Sequence, residues 1–550
     1  MPDSLVPKTV SILAEGYGLH RLKSDALAGL TVAIVALPLS MAIAIASGVT
    51  PDRGLYTAIV GGFIVSLLGG SRVQIGGPAG AFIVLVAATG ARHGLDGLLL
   101  ATAMGGIMLI AAGYLRLGQY IKFIPYPVTV GFTAGIAVII FASQLRDLFG
   151  LTLSGAEPGP IVDKVIALGH AAGTVNWAAV LTAALTIGII LGLRRLRPHW
   201  PGMLIAVAAA SAFVALLQLP AETIGTRFGS IPRGLPLPTL PPLSLDKAAA
   251  VFPDAVSFAL LGAIESLLSA VVADGMTGRR HRSSMELIAQ GVANICSALY
   301  GGICVTGTIA RTATNVRAGA TSPVSGMLHS VFLLLFMLLA APLASYIPLA
   351  SLAGVLAIVA WNMIEKPAVM ALLRSSYGDA VVLLATFLIV VFRDLTEGIV
   401  IGFALGAVLF IDRMAKSISI GETKPLSPLP QENGEEHPVV ADDPNTVIYR
   451  ISGIFFFGSA ATVGTVLDRI ADQRRNFILD CTEVPFLDST AANVIEGTLR
   501  KAERSGVRFI ITGARPQVRR ALYHHHVRPP RVLMRASIEA ALEVIRNEQT

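Results

Sequence analysis

The sequence predicts an all-α polytopic membrane domain followed by a small C-terminal α/β domain, and three observations carry that prediction. Of 550 residues, 54% are hydrophobic and only 14% are charged, against about 25% charged in a typical soluble chain. The apolar residues gather into separate blocks that end near Ile411, and mean hydropathy is +0.70. From Asp412 to Thr550 the composition becomes that of soluble sequence, with strand-like and helical patterns alternating. The chain therefore reads as an N-terminal segment (1–26), a membrane domain (27–412), a linker (413–444) and a terminal domain (445–550).

A membrane span needs about 20 apolar residues, and fewer where neighbouring protein buries it. The blocks run 27–47, 56–68, 79–88, 98–115, 128–142, 178–193, 202–217, 255–273, 287–299, 308–316, 323–342, 347–360, 380–391 and 398–411, about fourteen crossings. Bare positive charge follows the even-numbered blocks: Arg72, Arg116 and Lys122, Arg194 to Arg197, Arg279 to Arg282, Arg317, Lys366 and Arg374, Arg413 and Lys416. The other ends are poorer in it, with Arg92 and Arg227 as exceptions. The positive-inside rule then puts both termini in the cytoplasm. The net charge of +7 is explained by these loops, and no basic stripe with interleaved aromatics points to nucleic acid. Cys296, Cys304 and Cys481 have no metal-site spacing, and no metal or other cofactor is expected.

Two blocks begin with Gly/Pro breaks: Gln74-Ile75-Gly76-Gly77-Pro78-Ala79-Gly80-Ala81-Phe82 at the third, and Gly302 through Gly307-Thr308-Ile309-Ala310-Arg311 at the tenth. These are matching positions if seven spans repeat as another seven, and broken segments at corresponding places point to a transporter binding site. The alternative is a pair of packing turns. A helix that starts within the bilayer presents its first N–H groups and about half a positive charge, which favours a small anion. Glycines at 76, 77, 80, 302 and 307 would let a ligand approach the backbone, and Pro78 suits a first helical turn. Arg311 supplies a planar fork of donors for an oxyanion. Glu265, inside the eighth block, is a candidate for cation coupling through sodium or a proton, with Ser269 one turn on along the same face. A structural ion pair between Glu265 and Arg311 is the competing reading. No catalytic set is expected: the chain has no Gly-Lys dipeptide for a P-loop, no HExxH and no serine nucleophile elbow.

Gly54-Leu55-Tyr56-Thr57-Ala58, Gly70-Ser71-Arg72 and Gly76-Gly77-Pro78 resemble the signature of the SulP (sulfate permease) anion transporters. So do Gly262 to Leu268, Met276-Thr277-Gly278, Gln290 to Asn294 and Thr306 to Asn315, in order along nearly the whole chain. The resemblance implies a seven-plus-seven inverted repeat divided into core and gate bundles, elevator-like movement of the core, and a multi-pass homodimer in the bacterial inner (cytoplasmic) membrane. It also implies substrate contacts from Pro78, Ala79, Gly80, Ala81, Phe82, Thr308, Ile309, Ala310, Arg311 and Ser40, with Glu265, Ser269 and Gly307 as the ion-coupling set. Departures bear on substrate. Leu37-Pro38-Leu39 stands where many sulfate carriers read Leu-Pro-Gln, Ala79 where threonine is common, and Arg53 where an aromatic is usual. A sulfate-like anion is expected first, and bicarbonate or the C4-dicarboxylates fumarate and succinate remain open, as does an anion channel.

Beyond the Pro/Glu-rich linker, strands are expected at 447–451, 454–457, 477–480 and 507–512, and helices at 460–471, from Asp488-Ser489-Thr490 to Ser505, and at 537–547. Phe477 to Asp480 with Asp488-Ser489-Thr490 resembles a STAS domain, which implies a dimerisation or regulatory unit with Ser489 as a possible phosphorylation site or an ordinary helix cap. The run His524-His525-His526 reads as the polar end of a helix rather than a metal site.

Overall fold

The computed structural model describes residues 5–120, 125–155, 157–197, 200–393, 395–422, 445–460, 463 and 475–547. These divide into two compact units, 1–404 and 405–550. Lys122, residues 423–444 of the expected linker and nearly all of the expected helix 460–471 lie outside the described residues.

The fourteen apolar blocks are helical. They are Leu19–Ala46; a second segment of Pro51–Tyr56, a π-turn Thr57–Gly61 and Gly62–Leu68; a third and fourth within Ile83–Tyr114, divided at Gly94 (φ 67°, ψ −173°); Tyr126–Phe149; Trp177–Leu196; and Gly202–Leu216. The second seven are Leu245–Thr277, Ser283–Leu299, Ile309–Arg317, Val324–Ala344, Leu349–Met363, Tyr377–Phe392 and Leu395–Lys416, the last crossing the boundary between the units. Among the described residues eight helices are long and apolar enough to cross a bilayer unaided; the rest are shorter, as protein-flanked segments can be.

Packing sorts the segments into two groups. The first helix lies against the eleventh, and the third and fourth lie against the eighth and ninth. The fifth packs on the twelfth and thirteenth, and the sixth on the seventh and twelfth. First with eleventh and eighth with fourth are equivalent pairs when each segment matches the one seven later, so the contact pattern carries the repeat. Small residues permit the close approach: a Cβ on Gly106 or Gly291 would stand 2.6 or 2.4 Å from the other's carbonyl oxygen. The two exceptions to the charge bias are neutralised, Arg92 by Asp254 at 2.7 Å and Arg227 by Asp147 at 3.1 Å and by Glu222.

In the first unit Gly76–Gly77 (β1) and Thr306–Gly307 (β2) form a short strand pair, and the second unit is a five-stranded sheet in the order β3 (Ser419–Glu422), β4 (Thr446–Ser452), β5 (Asn476–Glu483), β6 (Arg508–Thr512), β7 (Leu533–Arg535), antiparallel at β3–β4 and parallel elsewhere. Strand β5 is the buried centre, and its alternate residues face two cores: Phe477, Leu479 and Cys481 join Ile495 and Leu499, while Ile478 joins Ala541 and Ile545. Helices Ser489–Arg504, Pro516–His524 and Ile538–Asn547 cover it, and the first histidine of the 524–526 run ends the second of them.

Two expectations are corrected. The expected linker already contains β3. Residues 454–457 form no strand: Gly453 turns the chain at φ 107°, and Phe455 makes one isolated bridge, to Leu487, with its N–H donating to the Phe486 carbonyl.

Asp480, within β5, is buried and accepts from the Thr482 and Thr512 hydroxyls (2.6 and 3.2 Å) and from Arg450 (2.7 Å). Burial pushes its carboxyl up, but the Thr482 and Arg450 hydrogen bonds more than offset this and hold it below its ordinary value. The resulting stability is present above the unfolded carboxylate range near pH ~4 and is lost as pH falls through the lower folded value. Asp480→Ala is expected to cost about 1–3 kcal/mol at neutral pH, because it strands the buried Thr512 hydroxyl and leaves Arg450 and Thr482 without their acceptor. Amide hydrogen exchange of β5 checks this, with protection falling in the variant and its acid dependence weakening.

Candidate functional site

The breaks before the third and tenth helices are joined. Gly76–Gly77 (β1) and Thr306–Gly307 (β2) pair as antiparallel strands, Gly76 opposite Gly307 and Gly77 opposite Thr306. Antiparallel pairing is the relation an inverted repeat requires. The stitch continues on one side through Ile75: the Thr308 N–H donates to the Ile75 carbonyl at 2.9 Å, and the Ile75 N–H donates to the Thr312 hydroxyl at 3.1 Å. Each chain then leaves through an extended cap residue. Ala79 (φ −118°, ψ 148°) precedes a 3₁₀ turn at Gly80–Phe82, and Thr308 (φ −103°, ψ 118°) precedes Ile309–Arg317. Neither start carries a side-chain cap. The first-turn amides and the dipole of each helix are therefore directed at this point.

Neighbouring segments hold the lead-ins. The Gln74 amide donates to Ser266 Oγ at 3.0 Å. Asn294 brackets Val305, donating to its carbonyl at 2.8 Å and accepting from its N–H at 2.9 Å. The π-turn in the second segment presents the Thr57 hydroxyl, which accepts from the Ile303 N–H at 2.7 Å. Local widening of this kind is frequent at functional sites.

Arg311 is 1% exposed and reaches from the tenth helix toward the third and the first, donating to the Pro78 carbonyl at 3.4 Å and to Ser40 Oγ at 3.1 Å. Its Nε and Nη1 are buried with no protein partner. Among the described residues it forms no ion pair with Glu265 or any other carboxylate, so the structural-pair alternative is not what this arrangement shows. A guanidinium in this state lacks the acceptors that a buried charge needs, and an oxyanion supplies them in matching geometry. Glu265 is half-buried on the eighth helix, with Oε2 enclosed and unpartnered.

The other expected residues differ in exposure. Pro78, Ala79, Ala81 and Thr308 are buried; Gly80 and Ile309 are half-buried; Ala310 is exposed, so the tenth helix start opens onto accessible space. Phe82 is 1% exposed and stacks on Phe258, with ring centroids 6.0 Å apart, in the core beneath the site. Ser269 is fully buried and donates to Thr312 at 3.2 Å, so its hydroxyl is committed away from Glu265. The role expected for the glycines is corrected. A Cβ on Gly77 would lie 2.3 Å from Arg311 Nη1, and one on Gly307 1.7 Å from Gln74 Nε2. Both glycines make room for the protein's own side chains. In the second unit Ser489 is exposed in the first helical turn, and the cap is Asp488, which accepts from the Ala491 N–H at 2.9 Å.

Sequence reasoning gave no individual role to Gln74, Thr312 or Asn294, which it met only inside motifs, and missed His329. His329 is fully buried, with neither ring nitrogen partnered. Their signal was available: polar side chains within apolar blocks.

Gly77→Ala is expected to displace Arg311 and to lower anion uptake by proteoliposomes by about tenfold or more, the equivalent of the ~1–3 kcal/mol cost of overpacking. Gly188→Ala, where nothing lies within 4 Å of the added methyl, leaves uptake unchanged.

The chain matches the sulfate permease family over residues 22–386 and the STAS domain over residues 437–538. The candidate sulfate transporter YvdB of Bacillus subtilis is 42% identical over 514 residues, covering 92% of this chain and 94% of that protein. The bicarbonate transporter BicA of Synechocystis is 30% identical over 518 residues, covering 92% and 90%. Among solved structures, the transmembrane domain of a cyanobacterial BicA aligns with a TM-score of 0.64 at 32% identity, covering 70% of this chain and 98% of that one. The murine anion transporter Slc26a9 in its inward-facing state aligns at 0.84 with 19% identity, covering 99% and 94%, a likeness of fold alone.

Proposed function

Because this chain belongs to the sulfate permease family, a family of transporters and not of enzymes, we propose that it carries sulfate-type inorganic anions across the membrane as a secondary active symporter. The observation that carries this reading is the unpaired Arg311 guanidinium between two uncapped helix starts. Its charge, with roughly half a charge from each helix end, sums to about +2, the complement of a dianion. Glu265 then serves as the coupling site: a sodium ion or proton would neutralise a carboxylate that otherwise opposes anion entry. With Ser269 bonded to Thr312, Glu265 is the side chain of the proposed coupling set on which this role rests, and Gly307 takes part through its backbone alone. Movement would be elevator-like, with segments one to four and eight to eleven shifting against the others. The same reading gives a homodimer in a bacterial inner membrane with both termini cytoplasmic, and leaves Ser489, exposed where a phosphate is electrostatically favoured, as a regulatory position.

Bicarbonate is the second reading, favoured by the 32% identity with the BicA membrane domain; a dicarboxylate or a channel follows behind it. Reconstituted uptake separates them. With sulfate, bicarbonate, fumarate and succinate offered under proton or sodium gradients, we expect saturable, concentrative sulfate uptake driven by one cation. Concentrative uptake of bicarbonate alone would transfer the assignment to that anion, and dissipation without accumulation would make the protein a channel.

A further inference from the structure

Away from the half-helices, three arginines converge on a cavity of about 220 Å³. Its wall comes from three separated parts of the chain: Ser71 and Arg72 after the second segment, Thr277, Arg279 and Arg280 at the end of the eighth, and Thr321 after the tenth. The volume is far larger than a single water requires. Asp274, the acidic group in the lining, is already engaged by the His281 N–H and ring Nδ1 at 3.0 and 2.7 Å. Arg279 and Arg280 are exposed and form no ion pair among the described residues.

Arg72 already holds one carboxylate, that of Glu15, from outside the lining. Both of its terminal nitrogens hold the Glu15 carboxylate, Nη1 to Oε2 at 2.9 Å and Nη2 to Oε1, in the two-pronged geometry that guanidinium offers to oxyanions. Glu15 lies just beyond the short helix Lys8–Ala14, which is tied down by the Lys8 N–H to the Gly69 carbonyl and by Arg282 to the Val6 carbonyl. The carboxylate is 41% exposed, and the three guanidinium groups of the lining outnumber it and Asp274 together.

We propose that this cavity binds a phosphate-bearing anion, a lipid headgroup or a soluble phosphate compound, which competes with Glu15 for Arg72 and ties together the ends of the second, eighth and tenth segments. Phosphate fits because it offers several oxygens to several forks at once, whereas the Glu15 carboxylate satisfies only one. The site is separate from Arg311 and does not depend on which anion is transported.

The test is thermal unfolding of the full chain in neutral detergent, titrated with short-chain phosphatidylglycerol, short-chain phosphatidylcholine, inorganic phosphate or chloride at constant ionic strength. Phosphatidylglycerol or phosphate is expected to raise the midpoint saturably. The half-saturating concentration should rise about tenfold or more in the double variant Arg279→Ala/Arg280→Ala and fall severalfold in Glu15→Gln, while Gly188→Ala, where nothing lies within 4 Å of the added methyl, keeps the wild-type response. The agent with the lower half-saturation identifies the source as lipid or soluble phosphate. No response to either, an equal response to phosphatidylcholine or chloride, or a double variant that titrates like wild type would overturn the proposal.

Discussion

Replacing Arg311 with methionine is expected to weaken anion affinity by at least about 30-fold, the lower end of the ~2–5 kcal/mol lost when one partner of a buried hydrogen-bonded charge pair is truncated. The fold should survive. Arg311 is enclosed with Nε and Nη1 unpartnered and with neutral oxygens of Ser40 and Pro78 as its hydrogen-bond partners. An apolar side chain of similar length removes a desolvation cost and leaves no ion pair broken. Thermal stability without anion should therefore match or exceed that of the wild type while binding is lost. A structural strut would behave in the opposite way, with stability falling and affinity following only as folded protein is lost. Anion titration and thermal melting on one sample distinguish the two.

Glu265→Gln is expected to abolish gradient-driven accumulation while leaving anion exchange across a membrane without a cation gradient. The amide keeps the carboxyl's shape and cannot carry the charge that would be balanced by sodium or a proton, so the carrier would resemble its permanently neutralised form. Cation dependence of uptake should disappear, and half-saturation for the anion should change little because Arg311 and both helix starts remain. Undiminished accumulation in this variant would remove Glu265 from the coupling mechanism. Ser269→Ala should have a smaller effect on cation affinity, since its hydroxyl faces Thr312.

The membrane architecture was legible because its signals are long. Blocks of apolar sequence survive any error in their ends, and paired Gly/Pro breaks at the third and tenth positions stand out against them. Arg311 and Glu265 were legible because ionisable residues inside apolar runs are rare. The stitch between Gly76 and Gly307 was not, since a two-residue strand has no alternation to read. The partners of Gln74 and Asn294 were hidden for a related reason: a side chain that holds another segment's backbone carries no mark of its partner in its own neighbourhood. The glycines were detected but their purpose was misread, because a missing Cβ looks the same whether a ligand or the protein's own arginine takes the space. In the second unit, 454–457 has a strand's composition, but Gly453 and the bond from Phe455 to Phe486 direct it elsewhere. The strand β3 escaped notice beside a Pro-rich stretch that reads as linker throughout.

The most direct measurement is an anomalous difference map from crystals of the full chain soaked in selenate, a heavier dianion of sulfate's shape. A peak within hydrogen-bonding distance of Arg311 and the first-turn amides of the tenth helix, absent in Arg311→Met, is the predicted result. Selenate bound saturably elsewhere, with this junction unoccupied and the variant's map unchanged, would contradict it.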